Sequence, residues 1–134
     1  MRILIDTNVW VSALLWPESL PARVLQTVLL EHTVILSTEI MGELRDVYTR
    51  KFPHRLQDLE RFFEKLSYEL PPEHAIMPRQ LTQVIRDPDD VHVLTAALAA
   101  NVDVLLTGDQ DFAELPMTKP MILTPRQFAE RFHN

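Results

Sequence analysis

Residues 2–8 read RILIDTN, in which a short apolar run at 2–5, rich in large aliphatic side chains, is followed directly by an acid, Asp6. A run of this kind is typical of a strand that is buried on both faces. Apolar side chains then recur at helical spacing, at Val9, Trp10, Ala13 and Leu14. Asp6 therefore stands at the turn between a predicted strand and a predicted helix, and this first unit indicates an α/β fold.

The same alternation of apolar run and helix continues along the chain. Short apolar runs occupy residues 33–36, 102–107 and 120–123, and residues 70–78 contain three prolines, which indicates an irregular connection with a short strand near its start. Ser19, Ser37-Thr38 and Thr124-Pro125 are residues that favour helix starts. We predict a central, mostly parallel sheet of about five short strands flanked by helices, in which ligands bind beyond the carboxyl ends of the strands.

Composition narrows the class of protein. The 134 residues, 46% of them apolar, are enough for one domain over 1–134. No window approaches the roughly 18 apolar residues of a membrane span and no signal peptide is visible, so we expect a soluble, cytoplasmic protein. Because the chain has no cysteine, a metal would have to be held by oxygen or imidazole. The net charge of -6 argues against a protein that coats nucleic acid through a large basic surface.

The candidate functional residues are acids that fall near strand ends and helix starts: Asp6, Glu43, Asp90, Asp109 and Asp111. Converging carboxylates repel one another unless cations neutralise them. Oxygen ligands suit Mg²⁺ or Mn²⁺, and phosphodiester hydrolysis is a natural use of such a site.

Each of these acids also has an ordinary explanation. Asp6 could cap a helix, Glu43 could form a like-charged surface pair with Glu39, and the acids around Asp90 could simply mark a turn and a helix start. We expect Glu39 to be the exposed member of its pair. Gly42, which is costly inside a helix, indicates close approach of that helix to the sheet.

Two further residue types are assigned structural roles. We expect His92 to be a surface or otherwise satisfied histidine, because it lies two residues beyond Asp90 and so on another side of the helix. Trp10 and Trp16 are expected in the core or at a dimer interface rather than as platforms for stacking bases.

Four segments in order resemble the PIN-domain nucleases, and within them the VapC-like toxins of bacterial toxin–antitoxin pairs. The segments are DTN at 6–8, GEL at 42–44, RDPDD at 86–90 and TGDQDF at 107–112, and the ending ILTPRQF at 122–128 is also similar. Each segment alone is weak, but their order and spacing across nearly the whole chain carry the resemblance.

The resemblance implies a site and a chemistry. Asp6, Glu43, Asp90 and Asp111 would be catalytic metal ligands for Mg²⁺ or Mn²⁺, with Asp109 an additional or alternative ligand. Asn8 and Thr107 would orient carboxylates or water, and Asp87 and Asp89 would be auxiliaries. The implied partners are an RNA substrate, a small antitoxin protein and a second copy of the chain in a homodimer, with no membrane.

Other interpretations stay open. Basic residues at Arg50, Lys51 and Arg55, with Arg86, are either solvated charges or guides for the RNA backbone. A silent PIN-like module that binds RNA or protein is the main alternative to an endoribonuclease. A phosphotransfer domain with an acidic Mg²⁺ site is disfavoured, because Asn8 stands where a dehalogenase-type phosphatase needs its second acid.

Overall fold

The structure is a computed structural model that describes residues 1–73, 76, 79, 85, 87–108, 112 and 117–132, with residues 88 and 89 described by their backbone. Within these residues the elements, in chain order, are β1 (Arg2–Ile5), α1 (Thr7–Leu15), α2 (Leu20–Glu31), β2 (Thr33–Ile35), α3 (Thr38–Lys51), a 3₁₀ turn (Pro53–Arg55), α4 (Leu56–Lys65), α5 (Pro88–Ala99), β3 (Val104–Leu106), β4 (Met121–Leu123) and α6 (Pro125–Phe132).

The sheet is parallel throughout and has the order β2-β1-β3-β4. Ile5, the last residue of β1, pairs with Leu106 at the end of β3, so the carboxyl ends of the two central strands meet. Beyond β2, the backbone of Glu69 forms a parallel bridge with Ile35. This bridge lies at the position of the expected short strand before the prolines. The predicted α/β class with a parallel sheet is confirmed.

Helix starts follow the capping signals in the sequence. The Ser19 hydroxyl accepts a hydrogen bond from the amide of Ala22 at the start of α2, and Ser37 does the same for Ile40 in α3. At α6, Thr124 and Gln127 each accept a hydrogen bond from the other's backbone amide, an arrangement known as a capping box. Local sequence therefore sets where these helices begin.

The core lies on both faces of the sheet, and its buried side chains form one continuous cluster. Every residue of β3 is buried, as expected for a central strand covered on both sides. Trp10 of α1 is fully buried and meets Phe62 of α4 edge to face, with ring centroids 5.9 Å apart, whereas Trp16 is 55% exposed. In the described part of the chain, no helix has the length and apolar character needed to cross a bilayer.

Candidate active site

Two polar residues follow the paired carboxyl ends of the central strands. Asp6 comes directly after β1 and Thr107 directly after β3, and the backbone amide of Asp6 donates to the carbonyl of Leu106 over 2.8 Å. The hydroxyl of Thr107, which is 1% exposed, donates to Oδ2 of Asp6 over 2.9 Å. The parallel pairing of β1 with β3 therefore places a buried donor against one carboxylate oxygen.

Asp6 is also the residue that precedes α1. Its Oδ1 accepts a hydrogen bond of 2.8 Å from the amide of Thr7, the first residue of the helix. A capping carboxylate ordinarily accepts from the second or third helical amide. Both oxygens of this half-buried carboxylate thus have defined donors, and the cap and the candidate ligand are the same group.

Thr7 joins this carboxylate to a second one. Its side chain is buried, and its hydroxyl donates to Oε1 of Glu43 in α3 over 3.0 Å. Asp6 and Glu43 are therefore both hydrogen-bonded to Thr7, one to its amide and the other to its hydroxyl. The sequence motifs pointed to Asn8 rather than to its neighbour Thr7, but the side chain of Asn8 is exposed and forms no hydrogen bond with the described residues.

His92 of α5 reaches Glu43, a contact that its spacing from Asp90 did not predict. Its Nε2 lies 3.1 Å from Oε1 of Glu43, and the two side chains are 25% and 37% exposed. The ring's other nitrogen, Nδ1, is buried and has no hydrogen-bond partner among the residues that the structure describes. Spacing along α5 relates His92 only to Asp90 on its own helix and cannot reveal that α3 packs alongside.

Of the remaining predicted acids, the structure describes some and not others. Asp90 is half-buried in the first turn of α5, two residues before His92, and its amide donates to the carbonyl of Asp87 over 3.0 Å. Asp87 is exposed. Asp109 and Asp111, like Arg86 and the side chain of Asp89, lie outside the described residues. The structure thus brings Asp6, Glu43 and Thr107 into one network and carries Asp90 on the helix that supplies His92.

On α3, the helix that carries Glu43, one prediction is confirmed and another is wrong. Glu39 is exposed, as expected. Gly42 is exposed as well, and a Cβ built on it would meet nothing within 4 Å, so close approach to the sheet does not explain this glycine. The packing face of α3 is instead formed by Ile40, Met41, Leu44 and Tyr48.

A cavity of about 560 Å³ opens beside His92, between the start of α3, residues 70–73 and α5. Its walls are largely apolar and include two acids, Glu39 and Glu73, while its described lining contains no lysine or arginine. The described wall therefore offers no permanently positive side chain to a phosphate.

The basic residues near the end of α3 differ in their availability. Arg45 pairs with Glu60 through two hydrogen bonds of 2.8 and 2.9 Å and covers the ring of Phe63. Arg50 and Lys51 are exposed in the last turn of the helix. Arg50 follows Glu43 by seven residues, which is about two turns or roughly 10 Å along the same helix face.

The donor set is suited to a hard cation. Within the described residues no group of three or more potential ligands is assembled, and Glu43 contacts no arginine or lysine there. Its partners, Thr7 and His92, orient its carboxylate without an ion pair to a permanently charged side chain. Carboxylate oxygens held by hydrogen bonds in this way fit Mg²⁺ or Mn²⁺.

Comparison with known proteins identifies the family. The family model described as PIN domain matches residues 2–111, a range that includes all five candidate acids. The chain belongs to the PIN domain family. This confirms the family to which the sequence segments pointed. The matched residues include Asp6, Thr7 and Glu43 and the whole of α5.

Two individual proteins resemble this PIN domain over nearly their full length. An uncharacterized protein of Methanocaldococcus jannaschii is 27% identical over an alignment of 143 positions. The alignment covers 98% of this chain and 92% of the relative. The crystal structure of VapBC2 from Rickettsia felis, bound to a DNA fragment from their promoter, contains a chain that superimposes with a TM-score of 0.73 at 19% identity. The match covers 92% of this chain and 98% of that chain, and at this identity it supports the fold.

Proposed function

We propose that this protein, a single PIN domain over residues 1–134, is a metal-dependent endoribonuclease that hydrolyses RNA phosphodiester bonds. The observation that carries the proposal is the pair of carboxylates, Asp6 and Glu43, both bound to Thr7 at the carboxyl end of the sheet. In α/β proteins with a parallel sheet, ligands bind beyond the carboxyl ends of the strands. In this PIN domain the carboxylate pair lies at that end of the sheet.

The proposed roles combine these contacts with the residues that the sequence resemblance implies. Asp6, Glu43, Asp90 and Asp111 hold Mg²⁺ or Mn²⁺, with Asp109 as an additional or alternative ligand. When bound, the ion lowers the pKa of water and offsets charge on the phosphate. Thr107 and Thr7 fix the carboxylates through their hydrogen bonds. The cations at Arg50, Lys51, Arg55 and Arg86 attract the RNA backbone.

We also propose a biological role, as the cytoplasmic toxin of a toxin–antitoxin pair that is inhibited by a small antitoxin protein and forms a homodimer. Support comes from the sequence resemblance to VapC-like toxins and from the fold shared with a chain of the VapBC2 complex. Expression in a bacterial host should arrest growth. Asp6→Asn should relieve the arrest, as should co-expression of a small protein encoded beside the gene.

The nuclease is tested by cleavage of structured RNA with Mn²⁺, with and without a chelator. We expect Asp6→Asn and Glu43→Gln each to lower the rate by more than about 100-fold, beyond the 10–100-fold typical of residues that only orient ligands. Asparagine also caps helices, so α1 should stay intact in Asp6→Asn. Glu39→Gln is the matched control, since Glu39 is an exposed acid one turn away on the same helix, and it should keep the wild-type rate.

Three results would contradict the proposal in different ways. Cleavage that survives both the chelator and Asp6→Asn would remove the site. Cleavage of single-stranded DNA in preference to RNA would change the substrate. Binding of RNA without cleavage under any metal would favour the silent PIN-like module instead.

A further inference from the structure

We propose that His92 is a positioning residue, which holds Glu43 so that Oε2 is the oxygen left for the cation. This inference rests on the proposed metal-dependent nuclease function. It concerns a residue that lies outside the acidic set and that the four sequence segments do not mark as functional.

Oε1 of Glu43 already has two hydrogen-bonding neighbours. This oxygen accepts from the Thr7 hydroxyl at 3.0 Å and lies 3.1 Å from Nε2 of His92. A carboxylate oxygen can only accept, so Nε2 must carry the proton of that bond in either state of the ring. Two donors use the two in-plane lone pairs of Oε1, and Oε2 is the oxygen that remains for a ligand.

The Glu43 carboxylate is held in place by these two neighbours. Glutamate has several rotatable bonds, and a site that binds a cation tightly needs its ligands held by neighbouring packing and hydrogen bonds. Here the two anchors come from different helices, Thr7 from the start of α1 and His92 from α5, while Glu43 itself belongs to α3. Loss of either anchor frees the carboxylate to rotate before the metal arrives.

His92 is poorly suited to a purely structural role. Among the described residues its buried Nδ1 has no hydrogen-bond partner, and a buried polar atom without a partner destabilises the folded state. An apolar side chain of similar size would avoid this unsatisfied atom. The position therefore carries a group that is unfavourable for stability and whose polar contact, within the described part of the chain, is with Glu43.

The test compares His92→Leu, which removes the donor, with His92→Gln, whose amide nitrogen can still donate to Oε1. Calorimetric titration with Mn²⁺ alone should show affinity lowered about 10-fold in His92→Leu and mostly restored in His92→Gln. The melting temperature without metal should be unchanged or higher in His92→Leu. In RNA cleavage at saturating Mn²⁺, kcat should fall and KM should change little.

Controls separate positioning from packing. Thr95→Val removes a hydroxyl one turn further along α5 that bonds only the carbonyl of Val91, and it should bind Mn²⁺ as the wild type does. Thr7→Val should weaken Mn²⁺ binding, and its effect should not add independently to that of His92→Leu, because both side chains act on one oxygen.

The results against the inference are distinct from those against the function. Wild-type Mn²⁺ affinity and kcat in His92→Leu would overturn the role of His92 while leaving the nuclease intact. A lowered melting temperature with equal losses in His92→Leu and His92→Gln would show that the ring only packs. If the wild-type protein neither binds Mn²⁺ nor cleaves RNA, the proposed function fails and this inference fails with it.

Discussion

Asp6 links three parts of the molecule through one side chain. Its Oδ1 holds the first amide of α1, its Oδ2 holds the hydroxyl that follows β3, and its own amide bonds the carbonyl of Leu106. The two explanations that the sequence allowed for this residue, a helix cap and a metal ligand, are compatible, since a carboxylate has lone pairs for both tasks. A residue's local role does not exclude a chemical one.

At the opposite end of the sheet, Asp103 is expected to make stability depend on pH. The backbone amide of Arg2 donates to its Oδ2 over 2.7 Å, and this bond, with Lys119 nearby, holds the pKa of Asp103 below its ordinary value of 3.8. Since the folded state favours the ionised form, the stabilisation is complete above about pH 5 and is lost as the pH falls through the lower folded pKa.

We therefore expect Asp103→Asn to be less stable than the wild type at pH 7, and the gap to narrow as the pH falls below 3.8. Urea unfolding at a series of pH values measures this difference. A gap that stays constant with pH, or grows in acid, would contradict the prediction. The expected effect is modest because the Asp103 side chain is 38% exposed.

At the scale of elements, the sequence predicts what local interactions decide. Ser19, Ser37 and Thr124 mark helix starts because their hydroxyls accept from amides three residues on. Apolar runs predict the strands because all-parallel sheets are buried on both faces. The order of strands and helices then leads to the α/β class without any knowledge of distant contacts.

Contacts between elements are what the sequence left undecided. Thr7 and His92 are separated from Glu43 by 36 and 49 positions, and their roles depend on how α1 and α5 pack against α3. Gly42 misled for the same reason, because a glycine in a helix shows that a side chain is absent but not what lies opposite. Only the packed structure distinguishes these cases.

The capping box of α6 gives a prediction at this scale. Thr124→Ala removes the hydroxyl that accepts from the amide of Gln127, and it should lower the free energy of unfolding by about 1 kcal/mol. Because α6 buries Phe128 in the core, a weaker start of this helix lowers the stability of the whole domain. Urea denaturation measures the change. Thr124→Ser keeps the acceptor and should recover most of it, and an equal loss in both variants would show that the hydroxyl is unimportant.

At the scale of the whole molecule, the negative net charge of the protein disfavours binding of the proposed RNA substrate. The chain carries a charge of -6, and RNA is a polyanion. Acids at the proposed site account for part of this charge, and bound cations would reverse its sign locally. Exposed basic side chains beyond the site are then needed to attract the RNA backbone. One of them, Arg50, lies about two turns along the helix from Glu43.

Salt dependence of RNA binding measures that contribution. In the Asp6→Asn background, replacing Arg50, Lys51 and Arg55 together by glutamine should reduce the slope of log affinity against log salt by about 0.7 for each lost phosphate contact. The control is Arg23→Gln with Arg126→Gln, which removes exposed charges from α2 and α6. If the slope is unchanged in the triple variant, these residues do not guide RNA.

The empty space beside Gly42 has a practical consequence. The natural chain contains no cysteine, so Gly42→Cys would introduce a unique thiol at an exposed position where an added side chain meets no neighbour. A fluorophore or nitroxide attached there would sit one residue from Glu43. Paramagnetic Mn²⁺ would quench or broaden its signal with a strong dependence on distance, so the distance between the label and the ion could be measured without observing turnover.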